Sequence, residues 1–150
     1  MAVEDILNYI RVSDRIASSG QPEASQFKAI AETGYRAVIN LAMPDSPNAI
    51  PEEGHIVSAH DMVYLHMPVP FEAPNIEHLT KFIRLMEALS NEKIWVHCVL
   101  NKRVSAFLYQ YQRLVHGESL EEAAKVMLTS WKPDPVWQWF MALDLGRGSK

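Results

Sequence analysis

Three short apolar runs constrain the fold of this chain more than any other feature. They are residues 36–42 (Arg-Ala-Val-Ile-Asn-Leu-Ala), 62–67 (Met-Val-Tyr-Leu-His-Met) and 93–97 (Lys-Ile-Trp-Val-His). Continuous apolar runs with β-branched residues are typical of strands that are covered on both faces, as in a parallel sheet. We therefore expect these runs to be buried strands.

Segments with helical signals separate the runs. Pro22 suits the first turn of a helix that Gly34 ends, and residues 52–61 form a short helix. Pro74 opens a longer helix in which apolar residues recur at spacings of three and four. Further helices are predicted over residues 103–116, 119–131 and 136–145.

An alternation of strands and helices predicts the fold class. A strand over residues 15–18, paired with residues 9–12, precedes the three runs. The expected fold is α/β, with a mostly parallel central sheet of four to five strands flanked by helices. In such sheets ligands bind beyond the carboxyl ends of the strands. Three loops, 43–51, 68–74 and 98–102, are expected to converge there.

Length and charge exclude several classes of protein. The 150 residues fit a single domain, 1–150, with a frayed tail over 146–150. A net charge of −4 argues against a nucleic-acid partner. No apolar run approaches the ~20 residues of a membrane span, and the acidic N-terminus is not a secretory signal. The six histidines fit no compact ligand motif, so neither a metal nor another cofactor is expected. The oligomeric state stays open.

The single cysteine, Cys98, is the most informative residue. It excludes an internal disulfide and fits a reducing compartment, which predicts a cytoplasmic protein. Cys98 leaves the third apolar run, a short loop follows, and Arg103 lies at the first turn of the next helix. Loop N–H groups and a helix N-terminus form an anion site that also favours a thiolate. Because Arg103 can hold a phosphate with two hydrogen bonds, we predict a nucleophile poised to attack a bound phosphate.

A family resemblance supports this prediction. His97-Cys98 with Arg103 and Ser105 resembles the HC-x5-R-[ST] signature of cysteine-dependent protein tyrosine and dual-specificity phosphatases. Residues 19–22, 34–41 and 64–69 resemble a small group of uncharacterised bacterial phosphatase-like proteins. In that group Gly-Gln-Pro, Val-Ile-Asn-Leu and His-Cys recur in that order. The resemblance covers roughly residues 10–130.

The loop departs from the family pattern in length. Four residues separate Cys98 from Arg103 where the pattern has five, and Val104 stands at the pattern's arginine. The common mid-loop glycine is absent, and Asn101, which tolerates a left-handed backbone, is the nearest occupant. A loop that is one residue shorter has one fewer N–H donor. If the helix start is fixed, it also rotates Arg103 by about 100° around the helix axis from the position of the pattern's arginine. Either the loop re-forms around a phosphate with Arg103, or the cradle is damaged.

The resemblance implies hydrolysis of a phosphomonoester. The substrate that bears the phosphate is a protein or a small molecule. In the family, the thiolate attacks phosphorus, and a carboxylic acid protonates the leaving oxygen and then activates water. The equivalent acid-bearing loop here, 68–74, holds Glu72 at 26 positions before Cys98. Asp45, in the loop after the first apolar run, is the second candidate.

The remaining candidates bind the phosphate or support the loop. The predicted phosphate-binding residues are Val99, Leu100, Asn101, Lys102 and Arg103. Lys102 is alternatively a solvated loop charge. The resemblance gives His97 a supporting role beside the loop and gives Ser105 a role in helping the thiolate to leave. Asn40 either ties loops together near the site or simply ends a strand.

Two other functions stay open. A pseudophosphatase would hold phosphate or sulfate without turnover, which the shortened loop and the missing aspartate favour. A rhodanese-like sulfurtransferase also carries a cysteine in a cradle after a strand and would form a persulfide on Cys98. The His-Cys start and the Gly-Gln-Pro segment argue against that second alternative.

Overall fold

The fold is built around a five-stranded sheet. The computed structural model describes residues 2–145, and the tail predicted to fray, residues 146–150, lies outside them. The strands are β1 (Ile10–Arg11), β2 (Ile16–Ser19), β3 (Ala37–Asn40), β4 (Val63–His66) and β5 (Ile94–His97). Their order is β1-β2-β5-β3-β4, and β1 pairs antiparallel while the other neighbours are parallel. The predicted α/β class and mostly parallel sheet are confirmed.

Helices cover both faces of this sheet. They are α1 (Phe27–Glu32), α2 (Glu53–Ala59), α3 (Ile76–Ala88), α4 (Lys102–Leu114), α5 (Leu120–Ala123) and α6 (Pro135–Met141), with 3-10 turns at Val3–Asp5, Ala24–Gln26 and Ala124–Val126. Ile39 and Val96 face the cluster of α3, α4 and α6. Val38 and Trp95 face α1 and α2. Burial of both faces explains why β3 and β5 read as continuous apolar runs. The expectation of a buried strand is wrong for β4, which lies at the sheet edge and consists of exposed and half-buried residues. Within residues 2–145, no helix is long and apolar enough to cross a membrane.

The central position of β5 places its carboxyl end at the middle of one sheet edge. Its last residue, His97, pairs in register with Ser19 of β2 and with Asn40 of β3. The chain segments that follow these three strands therefore leave the sheet side by side. Cys98, the next residue after β5, lies at the centre of that edge.

The helix predicted over 119–131 is shorter than expected. Ser119 caps its start by accepting from the Glu122 amide through its side chain, but helical turns end at Val126. The chain then leaves the helical path, and the Leu128 amide donates to the Ser105 hydroxyl at 2.9 Å. A tertiary hydrogen bond replaces a local helical one here, and capping signals do not reveal such a partner.

The last helix also ends earlier than predicted, at Met141 instead of residue 145. The carbonyl oxygens of Phe140 and Leu143 accept hydrogen bonds from the Gln110 side chain at 2.9 and 3.0 Å. A buried glutamine on α4 thus satisfies carbonyl groups at and just after the end of α6, which local sequence signals do not show.

Candidate active site

Three loops meet at the carboxyl edge of the sheet and enclose a cavity of about 590 Å³. The lining residues are Met43, Asp45, Ser46 and Pro47 after β3, then Pro70, Phe71 and Glu72 after β4, and Val99, Leu100, Lys102 and Arg103 after β5. The expected convergence of loops 43–51, 68–74 and 98–102 is therefore observed.

Cys98 lies behind this cavity. Its side chain is 1 % exposed and packs with the core on the α4 side of the sheet. Its amide donates to the Ser19 carbonyl at 3.4 Å, which continues the pairing of β5 with β2 by one residue. The cavity lining begins with the next residue, Val99. The sulfur is therefore screened from bulk water.

Asn101 makes the turn from the loop into α4. Its φ of 70° lies in the left-handed region, which asparagine adopts more readily than most residues, and the helix begins at Lys102. Its side-chain amide donates to the Asn8 carbonyl at 2.8 Å and to the Ser18 hydroxyl at 3.0 Å. The side chain of Asn101 therefore anchors the loop. Only the backbone N–H of Asn101 is left to donate a hydrogen bond to an anion.

The carbonyl groups of the loop all have partners outside the cavity. The carbonyl oxygen of Cys98 lies 3.1 Å from Nδ1 of His97. The Val99 carbonyl accepts from the Gln21 amide at 2.9 Å, and the Leu100 carbonyl accepts from Nδ2 of Asn8 at 3.0 Å. In a trans peptide the C=O and the next N–H point in opposite directions. Each anchored carbonyl therefore sets the direction of the amide that follows it.

The loop amides that follow these carbonyls are unused. No residue among 2–145 accepts a hydrogen bond from the N–H of Val99, Leu100 or Asn101. Successive free amides before the N-terminus of a 13-residue helix are typical of an anion cradle. The four-residue loop thus retains three free donors of its own.

Arg103 supplies a buried positive charge beside the loop. Its side chain is 6 % exposed, and Nη1 donates to the Val69 carbonyl at 2.8 Å. Its Nε is buried and has no hydrogen-bond partner, and no carboxylate within residues 2–145 forms an ion pair with it. A buried charge is costly unless it is paired, which makes the unpartnered Nε a candidate position for an anion.

Behind the loop, His97 belongs to a buried network that includes Glu53 and Gln21. Nε2 of His97 lies 2.5 Å from the Glu53 carboxylate, whose other oxygen accepts from the Gln21 side chain at 2.9 Å. Because Nδ1 faces the Cys98 carbonyl and must donate, one proton lies between Nε2 and the carboxylate. The network thus orients the imidazole that anchors the first loop carbonyl.

Sequence reasoning missed Glu53 and the role of Gln21 in this network. Glu53 lies in the short helix predicted over residues 52–61, but its side chain is buried. A glutamate near the start of an amphipathic helix ordinarily faces water, so no local signal identifies it. The Gly-Gln-Pro segment was a signal for Gln21, but its contact with Glu53 depends on the tertiary fold.

Asn40 joins two of the loops. Its side-chain oxygen accepts from the Ala42 amide at 2.9 Å, and its amide donates to the Tyr64 hydroxyl at 3.0 Å. Burial raises the pKa of Tyr64 above its ordinary value of 10.0, with the hydrogen bond from Asn40 acting in the opposite direction. The phenol stays neutral, and Asn40 shapes the start of the loop after β3.

Ser105 is engaged on both sides. Its hydroxyl accepts from the Leu128 amide at 2.9 Å and donates to Oδ1 of Asn101 over a long 3.4 Å. With its one proton directed to Asn101, the hydroxyl has none for the Cys98 sulfur in this arrangement. Its observed contacts tie the loop end to the segment after α5.

The two candidate acids belong to different loops of the cavity lining. Glu72 and Asp45 both line the cavity and are both exposed, and Lys102 lines it with intermediate exposure. Within residues 2–145, no group of three or more His, Cys, Asp and Glu side chains is arranged to hold a metal ion. The ionisable side chains that line the cavity are those of Arg103, Lys102, Glu72 and Asp45, with the Cys98 thiol behind them.

A family model described as "DSP-PTPase phosphatase fused to NAD+ Kinase" matches residues 6–134. The chain belongs to this family. A relative, the beta-lactamase hydrolase-like protein of Xylella fastidiosa strain Temecula1, is 26 % identical over 125 residues. The match covers 81 % of this chain and 28 % of that protein, so the chain spans little more than a quarter of the length of the curated relative.

Solved structures agree with the family. A candidate phosphatase (DUF442) from Shewanella putrefaciens CN-32 is 31 % identical with a TM-score of 0.83, covering 93 % of this chain and 91 % of that one. The structure of TpbA from P. aeruginosa in complex with pTyr has a TM-score of 0.70 at 16 % identity. That match covers 91 % of this chain and 81 % of the TpbA chain. The second likeness shows the fold alone. The resemblance to the cysteine-dependent phosphatase superfamily is confirmed.

Replacing Gly20 by alanine should distort the loop. A Cβ at this position would lie 2.5 Å from the Val99 carbonyl oxygen, a backbone atom with little freedom to move. We expect Gly20→Ala to lower the free energy of unfolding by about 2 kcal/mol and to weaken phosphate binding. Urea denaturation and phosphate calorimetry measure the two effects. A variant that matches the wild type in both would contradict the close approach.

Replacing Glu53 tests the buried network. Glu53→Ala leaves His97 and Gln21 without their shared acceptor, so we expect a loss of about 3 kcal/mol in the free energy of unfolding. Glu53→Gln is the matched control, since its amide can donate to His97 while its oxygen accepts from Gln21. The control should lose no more than about 1 kcal/mol in urea denaturation. Equal losses in the two variants would show that the hydrogen bonds do not matter.

Proposed function

We propose that this chain is a cysteine-dependent phosphatase that hydrolyses a phosphomonoester through a phosphocysteine on Cys98. The observation that carries the proposal is Arg103, a buried cation with a free Nε and no carboxylate partner. It lies beside a loop whose carbonyls are bound elsewhere and whose amides are free. A phosphate group would satisfy the guanidinium and the amides together.

The proposed binding mode uses all five loop and helix positions predicted for phosphate contact. The amides of Val99, Leu100 and Asn101 would donate to phosphate oxygens, and Arg103 would donate from its free edge. Lys102 begins α4 and lines the cavity, so its ammonium would add charge at the rim. The helix N-terminus contributes a further partial positive charge, which favours a dianion.

The proposed reaction has two displacement steps. The Cys98 thiolate would attack phosphorus, forming an S–P bond as the P–O bond to the leaving group breaks and a carboxylic acid protonates the departing oxygen. Water would then attack the phosphocysteine while the resulting carboxylate takes its proton. Inorganic phosphate and the thiolate are released, so the enzyme returns to its initial state.

We assign the acid and base role to Glu72, with Asp45 as the alternative. Glu72 belongs to the loop whose Val69 carbonyl accepts from Arg103, so its position is coupled to the phosphate-binding side chain. Asp45 approaches the same cavity from the loop after β3. The exposure of both side chains lets either reach a substrate oxygen at the cavity mouth.

The proposed substrate is a phosphorylated protein or small molecule. TpbA, which shares the fold, binds pTyr, and the open cavity here has room for a group attached to the phosphate. A reducing compartment such as the cytoplasm suits the mechanism, because the chain has no second cysteine to protect an oxidised Cys98.

The second candidate function is phosphate binding without turnover. The observation that favours it is the burial of Cys98, whose side chain is 1 % exposed and does not line the cavity. The exposed carboxylates are also not held toward the cavity by any hydrogen bond in the part of the chain that the structure describes. Membership of the phosphatase family favours either of these functions over a sulfurtransferase.

Cys98→Ser should abolish turnover and keep binding. With p-nitrophenyl phosphate we expect kcat to fall by at least about a thousandfold, because the hydroxyl is a far poorer nucleophile than the thiolate. Calorimetry with inorganic phosphate should show retained binding in Cys98→Ser and a loss of about tenfold or more in Arg103→Ala.

The two candidate functions give different results in this assay. Orthovanadate should inhibit the wild type if it is a phosphatase. Wild-type turnover that does not exceed the Cys98→Ser background between pH 5 and 7 would reject the phosphatase. Phosphate binding that depends on Arg103 would then identify the second candidate, and no binding at all would reject both.

Glu72→Gln and Asp45→Asn identify the acid. A general acid contributes roughly a hundredfold or more, and it matters most when the leaving oxygen is basic. We therefore expect Glu72→Gln to slow hydrolysis of phenyl phosphate more than that of p-nitrophenyl phosphate, whose leaving group needs little protonation. Asp45→Asn should slow the two substrates equally and only slightly. The reverse pattern would transfer the role to Asp45.

A further inference from the structure

A residue outside every motif, Asn8, makes a reciprocal contact with the phosphate-binding loop. Its side-chain amide donates to the Leu100 carbonyl at 3.0 Å, and its own carbonyl accepts from the Asn101 side chain at 2.8 Å. The partners lie 92 and 93 positions apart in the chain. Two hydrogen bonds thus clamp residue 8 to the end of the loop.

The N-terminal segment is held firmly enough to act as an anchor. Ile6 is buried in the core beneath α1 and α2, and the Leu7 carbonyl accepts from the Gly20 amide at 2.8 Å. Asn8 itself has φ 53°, in the left-handed region that asparagine tolerates. That backbone conformation turns the chain between the buried Ile6 and β1.

The clamp acts on one particular peptide group. Leu100 is partly exposed, at 42 %, and the loop amides have no partners among the described residues. Without the Asn8 side chain, the Leu100 carbonyl would lose its hydrogen-bond partner among the described residues, and the peptide between Leu100 and Asn101 would be less restrained against rotation. Rotation would bring a carbonyl oxygen toward the bound anion and turn the Asn101 N–H away from it, because the two groups point in opposite directions.

We propose that Asn8 is a positioning residue of the phosphate cradle, which aims the Asn101 N–H by holding the Leu100 carbonyl outward. This inference rests on the proposed phosphate site and adds to it a residue that touches neither the phosphate nor Cys98. Asn8 completes the set of anchors, since Gln21 holds the Val99 carbonyl and His97 holds the Cys98 carbonyl.

Two variants separate the side chain from the backbone. Asn8→Gly keeps the left-handed turn without strain and removes the donor. Asn8→Asp keeps the shape but replaces the donor by an anionic acceptor that repels both the carbonyl and the phosphate. Asp61→Gly is the control, because Asp61 also has a positive φ, 63°, but lies in the turn before β4 at the opposite edge of the sheet.

The measurements are kcat/KM for p-nitrophenyl phosphate, the orthovanadate inhibition constant at 25 °C, and the melting temperature. We expect Asn8→Gly to lower kcat/KM and weaken vanadate binding by about fivefold each, the value of one hydrogen bond. Asn8→Asp should lose about tenfold or more, because the charge adds repulsion. The control should match the wild type in both kinetic measurements.

A residue-resolved measurement keeps the inference separate from the phosphatase function. In wild-type ¹⁵N spectra titrated with inorganic phosphate, the Asn101 amide should shift together with that of Val99. In Asn8→Gly the Asn101 shift should shrink while the Val99 shift persists. If these shifts are observed but the wild type shows no turnover, the proposed phosphatase function is rejected. The role of Asn8 in positioning the Asn101 amide is then still supported.

The opposite results overturn the inference. If Asn8→Gly lowers the melting temperature but keeps wild-type vanadate binding and amide shifts, the residue is merely structural and the phosphatase stands. If phosphate shifts no loop amide in the wild type, the cradle does not exist. That result would overturn both the proposed function and the role of Asn8.

Discussion

The candidate site depends on hydrogen bonds that hold the carbonyl groups of the loop after β5 away from the cavity. A peptide group is a rigid dipole, so a carbonyl held outward points the next amide in the other direction. The ring of His97, the backbone of Gln21 and the side chain of Asn8 hold three successive carbonyls. The proposed anion cradle is therefore assembled by groups that would not contact the anion.

The sheet supplies the frame for these anchors. Parallel pairing of β5 with β2 and β3 aligns His97 with Ser19 and Asn40, which brings the Gly-Gln-Pro turn beside the loop. Gly20 is needed there because any side chain would overlap the Val99 carbonyl. Arg103 then adds a buried charge from the second position of α4. The shortened loop is thus compatible with an arginine at the cavity.

Much of the fold and part of the site could be predicted from the sequence. The three apolar runs located β3, β4 and β5, and burial on both faces explains the apolar composition of β3 and β5, whereas β4 is a partly exposed edge strand. Asn101 has the positive φ that its position predicts, because it stands nearest to the mid-loop glycine of the family pattern, which this loop lacks. The helix over 119–131 was predicted too long, since the Leu128 amide bonds Ser105 instead of continuing the helix. Glu53 and Asn8 were missed because polar residues near a helix start or a chain start ordinarily face water.

The sequence by itself determined the α/β class, the family and the placement of Cys98 between a buried strand and a helix. The fold class and the placement of Cys98 depend on local periodicity and on neighbouring residues, whereas the family follows from the resemblance of several motifs to known phosphatases. Only the tertiary structure decided which groups anchor the loop and that Arg103 is buried with a free Nε. Those contacts join residues 8, 21 and 53 to residues 97–101. Their partners are chosen by the packing of the sheet and not by any local pattern.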